Sequence, residues 1–188
     1  MNNRISINWI AFIFRFLPLA SFVGYAFWGG APSKIRWLHA FLLGGALAIV
    51  QLVIFFSRKE PINRLILSSS LYLITGGISV VMGWIEILEQ FYNYKEVGVL
   101  IYMLVVGVIT SLFTPSGFIG TSHGSNDIIR RYSAFLCFAT AVALLISITF
   151  KGNYLFSAVI PITALVFFNK HLAHKTIRNV SINKSNSN

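Results

Sequence analysis

Few of the 188 residues combine a reactive group with an apolar setting, and Arg15 is the first of them. It stands inside the apolar run Trp9–Trp28, about six residues from the start of that run, or roughly 9 Å at 1.5 Å per residue. A guanidinium at the centre of a membrane span costs about 2.5–3.5 kcal/mol on insertion scales, and less near the interface. It therefore needs partners. A functional site would give it an anion or a place in a proton relay; a structural one would let it snorkel to headgroups or bond inside a helix bundle. Gln51, Ser68, Ser69, Ser70, Thr110, Ser111 and Thr114 lie at a similar depth in neighbouring runs, and they predict a polar layer around Arg15.

Glu86 and Glu89 are spaced to share one helix face at the far end of the third run. Paired carboxylates bind a cation or move protons. Beside Trp84 and the run Phe91-Tyr92-Asn93-Tyr94 they also read as a solvated helix end within an aromatic belt. His39 lies near the same level and could join them in a metal site in principle, but no ligand spacing supports one. His171 and His174 stand among lysines, and His123 lies in a Gly/Ser loop. Cys137 is the single cysteine and falls inside an apolar run, so no disulfide forms within one chain. There is no G-x-S-x-G elbow, H-E-x-x-H, Walker loop or G-x-G-x-x-G. The chain reads as a non-enzyme without cofactor or metal.

The elements that hold these residues are helices. With 56% apolar residues, 11% charged and a mean hydropathy of +0.74, the chain is no ordinary soluble domain. Six stretches approach the roughly 20 apolar residues of a transmembrane helix: Trp9–Trp28, Trp37–Phe56, Leu65–Trp84, Val97–Thr114, Ser133–Phe150 and Leu155–Phe168. The fourth and sixth are marginal in length, so five spans remain an alternative, with the fifth and sixth as a re-entrant pair. The gaps are short and make consecutive helices antiparallel neighbours, in one bundle over residues 1–180. Residues 181–188 read as a disordered polar tail. The gap from Pro115 to Tyr132 alone is long, rich in turn formers, with Asn126 or Asp127 as a cap for a short helix.

The cations give the orientation. Arg4, Arg58, Lys59, Arg64, Arg130, Arg131, Lys170, Lys175, Arg178 and Lys184 fall on one side, and Lys34, Arg36, Lys95 and Lys151 on the other. Ten against four places both termini in the cytoplasm, in a cytoplasmic (inner) membrane. Three of the five acids, Glu86, Glu89 and Glu96, fall outside. A net charge of +10 spread over helix ends suits anionic headgroups at the cytoplasmic face and not nucleic acid, which needs a continuous basic track.

Two helix faces are lined with small or polar residues. The third run carries Ser69, Tyr72, Gly76, Ser79, Gly83 and Glu86 at steps of three and four; the second carries Ala40, Gly44, Ala48 and Gln51. Counted from the hairpin around Arg58–Arg64, the two stripes match in depth, and they are expected to pack together. Pro18 and Pro161 are expected to kink the first and last helices and to free the carbonyls of Phe14 and Ser157.

Phe16-Leu17-Pro18-Leu19, the basic gap Arg58-Lys59-Glu60, and Leu73-Ile74-Thr75-Gly76-Gly77 resemble stretches of the small bacterial inner-membrane proteins called intracellular septation protein A. The chain length and the succession of short-looped helices are also similar. The Gly/Ser-rich fourth gap departs from that pattern. The resemblance implies a role in cell-envelope maintenance around division, through membrane partners and not catalysis, and it carries over no functional residue. The expectation is therefore a non-catalytic multi-pass membrane protein acting through lipid or protein contacts, with membrane-protein partners or a homo-oligomer in view. A small transporter or channel for an ion or solute, using the Arg15 layer and Glu86, is the alternative; a membrane-embedded enzyme comes third.

Overall fold

A computed structural model describes the backbone of residues 9–30, 33–58, 63–95, 97–120, 126–153 and 155–185, and their side chains except at 9–13, 15 and 177–185. Among the described residues all regular structure is helical: α1 (Trp9–Ala26), α2 (Lys34–Ser57), α3 (Arg64–Met82), α4 (Ile85–Tyr94), α5 (Val97–Phe113), α6 (Asn126–Thr149) and α7 (Ile160–Ser185). A π-helical turn, Leu155–Val159, leads into α7. Among the described residues four stretches are long and apolar enough to cross a membrane, Lys34–Ser57, Arg64–Met82, Asn126–Thr149 and Leu155–Thr176, and a fifth is added if α4 and α5 count as one. The six expected spans are thus represented by four or five. Helix α1 has 18 residues, of which the unbroken stretch with described side chains, Phe16–Ala26, is shorter than a span, and α5 alone has 17 residues.

The boundaries have local causes. The third run stops at Met82 because Gly83 turns left-handed, at φ +66°. The Gly83 N–H then donates to the Val80 carbonyl at 3.3 Å, and the Trp84 N–H to the Ser79 carbonyl at 3.0 Å. That pair of bonds is the Schellman ending of a helix, which favours glycine at this position. The chain starts again as α4, so Glu86 and Glu89 stand on a separate short helix and not on α3. Asp127 lies in the first turn of α6, where a carboxylate suits the helix dipole, and the expected short helix and the fifth span form one element of 24 residues. In α7 the Pro161 ring falls in the first turn, where its missing N–H is tolerated. That helix runs on to Ser185, through the start of the segment read as a polar tail; residues 186–188 lie outside the described residues.

The chain divides into two compact units, one from Met1–Glu60 and Ser70–Asn93, the other from Pro61–Ser69 and Tyr94–Asn188. In the first, rings of Phe22, Trp37, Phe41, Tyr72 and Phe91 form one cluster. Phe22 and Phe41 are 4.8 Å apart, and Tyr72 and Phe91 5.2 Å. Tyr72 and Phe91 both meet Phe41 at 5.3 Å, which ties α4 to α2 and α3. Packing of this kind needs close helix approach, and glycines supply it. A Cβ on Gly45 would lie 2.9 Å from the Leu73 carbonyl oxygen and 3.5 Å from the Gly77 Cα; one on Gly76 would run into the Phe41 ring.

The second unit is built from α5, α6, the π-helical turn and α7. Ser133, Thr140 and Ser147 are fully buried at seven-residue steps on α6, while Phe135 and Phe138 face outwards. Small polar residues inside and bulky apolar ones outside is the arrangement of helices packed within lipid. The described turns after α5, residues 115–120, pack inwards at Gly117, Phe118 and Ile119. Phe118 is fully buried, and its ring fills the space that a Cβ on Gly107 would take, 2.7 Å from Phe118 Cε1. The Ser133 hydroxyl accepts the Phe118 N–H at 3.0 Å and pins the turn to α6.

Candidate functional site

In the first unit the polar residues meet where α1 is interrupted by proline. Pro18 has no N–H, so the Phe14 carbonyl four residues earlier loses its helical donor. Gln51 Nε2 donates to that oxygen at 2.7 Å. The other end of the same amide, Oε1, accepts from the Ser70 hydroxyl at 3.3 Å. Gln51 and Ser70 are 2% and 1% exposed, so both groups have been withdrawn from solvent and need each other. One side chain thus connects α1, α2 and α3. Arg15 follows Phe14 directly in α1, but its side chain lies outside the described residues.

The rest of the expected polar layer is satisfied locally in the second unit. The Ser69 hydroxyl donates to the Ile66 carbonyl at 2.9 Å. That of Thr110 donates to Val106 at 2.7 Å, and that of Thr114 to Thr110 at 2.6 Å. Such bonds to the preceding turn let hydroxyls sit in an apolar helix without a partner elsewhere. Ser111 lies 3.5 Å from the Cys137 sulfur.

A second junction, which the sequence reading did not single out, forms around the start of α3. Asn63 precedes the helix, and its Oδ1 accepts the Leu65 N–H at 2.9 Å as an N-cap. The same oxygen accepts from Asn169 Nδ2 of α7 at 3.3 Å. Arg64 donates through Nη2 to the Ser116 hydroxyl at 3.1 Å. Two buried atoms here have no partner in the structure, Arg64 Nε and Asn169 Oδ1. Leaving a buried polar group unpaired costs about 1–3 kcal/mol, more when it is charged. Asparagine before an apolar helix is a readable cap signal. Nothing in the spacing singled out Asn169, one residue beyond the last expected span.

In the first unit, Glu86 stands exposed in the first turn of α4, and Glu89 meets Lys34 Nζ at 3.4 Å. Both partners of that pair are more than half exposed, and such a pair contributes little stability. The Arg36 guanidinium donates to the Trp28 carbonyl just beyond α1. The His39 ring lies 6.4 Å from that of Tyr25. Among the described residues no three His, Cys, Asp or Glu side chains come together in a metal-binding group. Glu96 and His123 lie outside the described residues, as do Arg4 and Lys59 and the side chains of Arg178 and Lys184.

Of the packing residues, Ala40, Gly44 and Ala48 share the buried face of α2 with Gln51. Gly76 and Ser79 are buried on α3. Gly44 looks partly towards α1, since a Cβ there would lie 3.1 Å from Phe22 Cβ and 3.4 Å from the Pro18 carbonyl oxygen. One residue further along each helix, Gly45 and Gly77 face the backbone of the other: a Cβ on Gly77 would lie 3.1 Å from the Phe41 carbonyl oxygen and 3.6 Å from the Gly45 Cα. Gly83 has nothing within 4 Å of such a Cβ and serves the turn described above.

Comparison with known proteins finds no match: no protein family, no curated protein and no solved structure.

Proposed function

We propose that the chain is a multi-pass protein of the cytoplasmic membrane, with both termini cytoplasmic, that supports cell-envelope processes through contacts with lipid and membrane proteins. The observation that carries this reading is where the polar groups go. Gln51 is consumed by Phe14 and Ser70, and the hydroxyls of Ser69, Thr110 and Thr114 by their own helices. Large apolar residues such as Phe113 and Phe138 are turned outwards instead, at 79% and 70% exposure. A molecule of this kind offers contact surface and little polar lining for a passage. Crossing by α1 and α5 as well as the four long stretches would give six spans. Their 18 and 17 residues reach roughly 25–27 Å, close to the hydrocarbon core of about 30 Å. The envelope role draws on the resemblance of Phe16–Leu19, Arg58–Glu60 and Leu73–Gly77 to the septation proteins.

The transporter reading keeps one argument, the proline-broken hydrogen bond next to Arg15. Purified protein in liposomes decides between the two. The contact reading expects no proton, cation or anion flux above empty vesicles, and loss of folded protein on Gly76→Leu but not on Glu86→Gln. Robust flux abolished by Arg15→Ala in a folded protein would replace it with the transporter.

A further inference from the structure

We propose that Asn63, Arg64, Ser116 and Asn169 form a binding site for a phospholipid headgroup that carries an N–H or O–H donor beside its phosphate. The inference rests on the membrane reading above and deepens it from a basic surface to a defined site. Helix α3 has 19 residues, and its N-terminus carries the partial positive charge that attracts phosphate. Arg64 adds a full charge at its first residue, with one Nη held by Ser116 and Nε unpartnered.

The second observation is independent of the helix end. Asn169 is 2% exposed, and its amide orientation is fixed by its neighbour. Nδ2 donates to Asn63 Oδ1, an oxygen already accepting from Leu65 N–H, so a flipped amide would set oxygen against oxygen. Asn169 Oδ1 is thereby presented as an acceptor with no donor. The junction asks for an acceptor at Arg64 and a donor at Asn169. A bare anion meets the first need and is repelled at the second. A choline headgroup brings phosphate but no N–H. An ethanolamine headgroup offers phosphate and ammonium, a glycerol headgroup phosphate and hydroxyl, and both fit. The depth agrees as well. Arg64 opens one membrane-length stretch, and Asn169 lies seven residues before the end of another, Leu155–Thr176, or roughly 10 Å. Hydrogen phosphate free in solution has the same acceptor–donor chemistry, so the test must separate the two sources.

The full chain, purified and reconstituted with equal amounts of dioleoyl phosphatidylethanolamine, phosphatidylglycerol and phosphatidylcholine, is released for native mass spectrometry, and the lipids that stay bound are counted. Ethanolamine and glycerol lipids are expected to be retained several-fold over the choline lipid. Asn169→Leu should erase that preference, and Arg64→Gln should lower retention of all three. Equal retention of the three lipids by the unmodified chain overturns the site, and this comparison stands even if a variant fails to fold. Displacement of the retained lipid by millimolar inorganic phosphate overturns the lipid as the ligand. A chain that does not insert into any of these bilayers refutes the membrane reading itself; insertion with equal retention refutes only the site.

Discussion

A proline takes one donor out of a helix, and in this protein the stranded acceptor is answered from another helix. The Gln51 amide does for the Phe14 carbonyl what the residue at position 18 cannot. This gives a test with its own control. Gln51→Leu should destabilise the protein by about 1–3 kcal/mol, the cost of an unpaired buried polar group. In a Pro18→Ala background the new N–H can reach the Phe14 carbonyl, and the same Gln51 change should cost clearly less. Thermal melts of the four proteins in one detergent measure the coupling, and equal losses in both backgrounds would show that the bond is not what Gln51 contributes. The freed carbonyl was legible in the sequence, because Pro18 names it by position. Gln51 was legible as a polar residue at the right depth. Their pairing was not, since residue counting along spans gives depth and leaves open which helices touch at that depth.

At the scale of elements, three glycines that look alike in the sequence do different things. Gly76 faces the Phe41 ring, Gly45 meets the α3 backbone at Leu73 and Gly77, and Gly83 turns the chain out of α3. Gly76→Leu and Gly45→Val should therefore abolish folded protein, because ring and backbone have to move. Gly83→Ala adds a methyl group in open space and only forces a left-handed alanine, at about 1–2 kcal/mol. Size-exclusion profiles and melting temperatures of the three variants separate these roles, and a Gly76→Leu protein that melts like the parent would refute the α2–α3 contact. The paired stripes of the second and third runs were visible because small residues recurred at helical spacing. The break at Gly83 was hidden, since Trp84 and Ile85 follow it directly and continue the apolar run. The buried turn at Phe118 was hidden for the opposite reason. Its Gly, Ser and Pro neighbours read as a turn-rich gap between spans, and Gly107 in the preceding helix makes room for the ring.

For the molecule as a whole, the cation count and the structure bear on each other. On the sparse side Lys34 pairs with Glu89, and Arg36 with the Trp28 carbonyl. The proposed six crossings are tested by labelling single cysteines introduced into a Cys137→Ser background. Cysteines at Lys34 and Lys151 should react with an impermeant maleimide from outside, and those at Arg58 and Lys175 only after the membrane is opened. Opposite labelling of Lys34 and Lys151 would mean an odd number of crossings between them, as when α5 does not cross; an N-terminus on the same side as Lys34 would mean that α1 does not cross. The apolar runs made a helical membrane-type fold legible, whereas the number of crossings depends on α1 and α5, which sit at the length threshold. The division into two units also sets an order of assembly during synthesis. Phe14 and Ser70, which bond Gln51, and the whole ring cluster from Phe22 to Phe91 have been translated once about half of the chain has left the ribosome. Asn63 and Arg64 emerge early too, but Ser116 follows 52 residues after Arg64, and Asn169 follows 106 residues after Asn63. The first unit can therefore close while the rest is still being made. Arg64 gains its partner with Ser116, and Asn63 gains Asn169 only once α7 is made, so the start of α3 is the last junction of the chain to be completed.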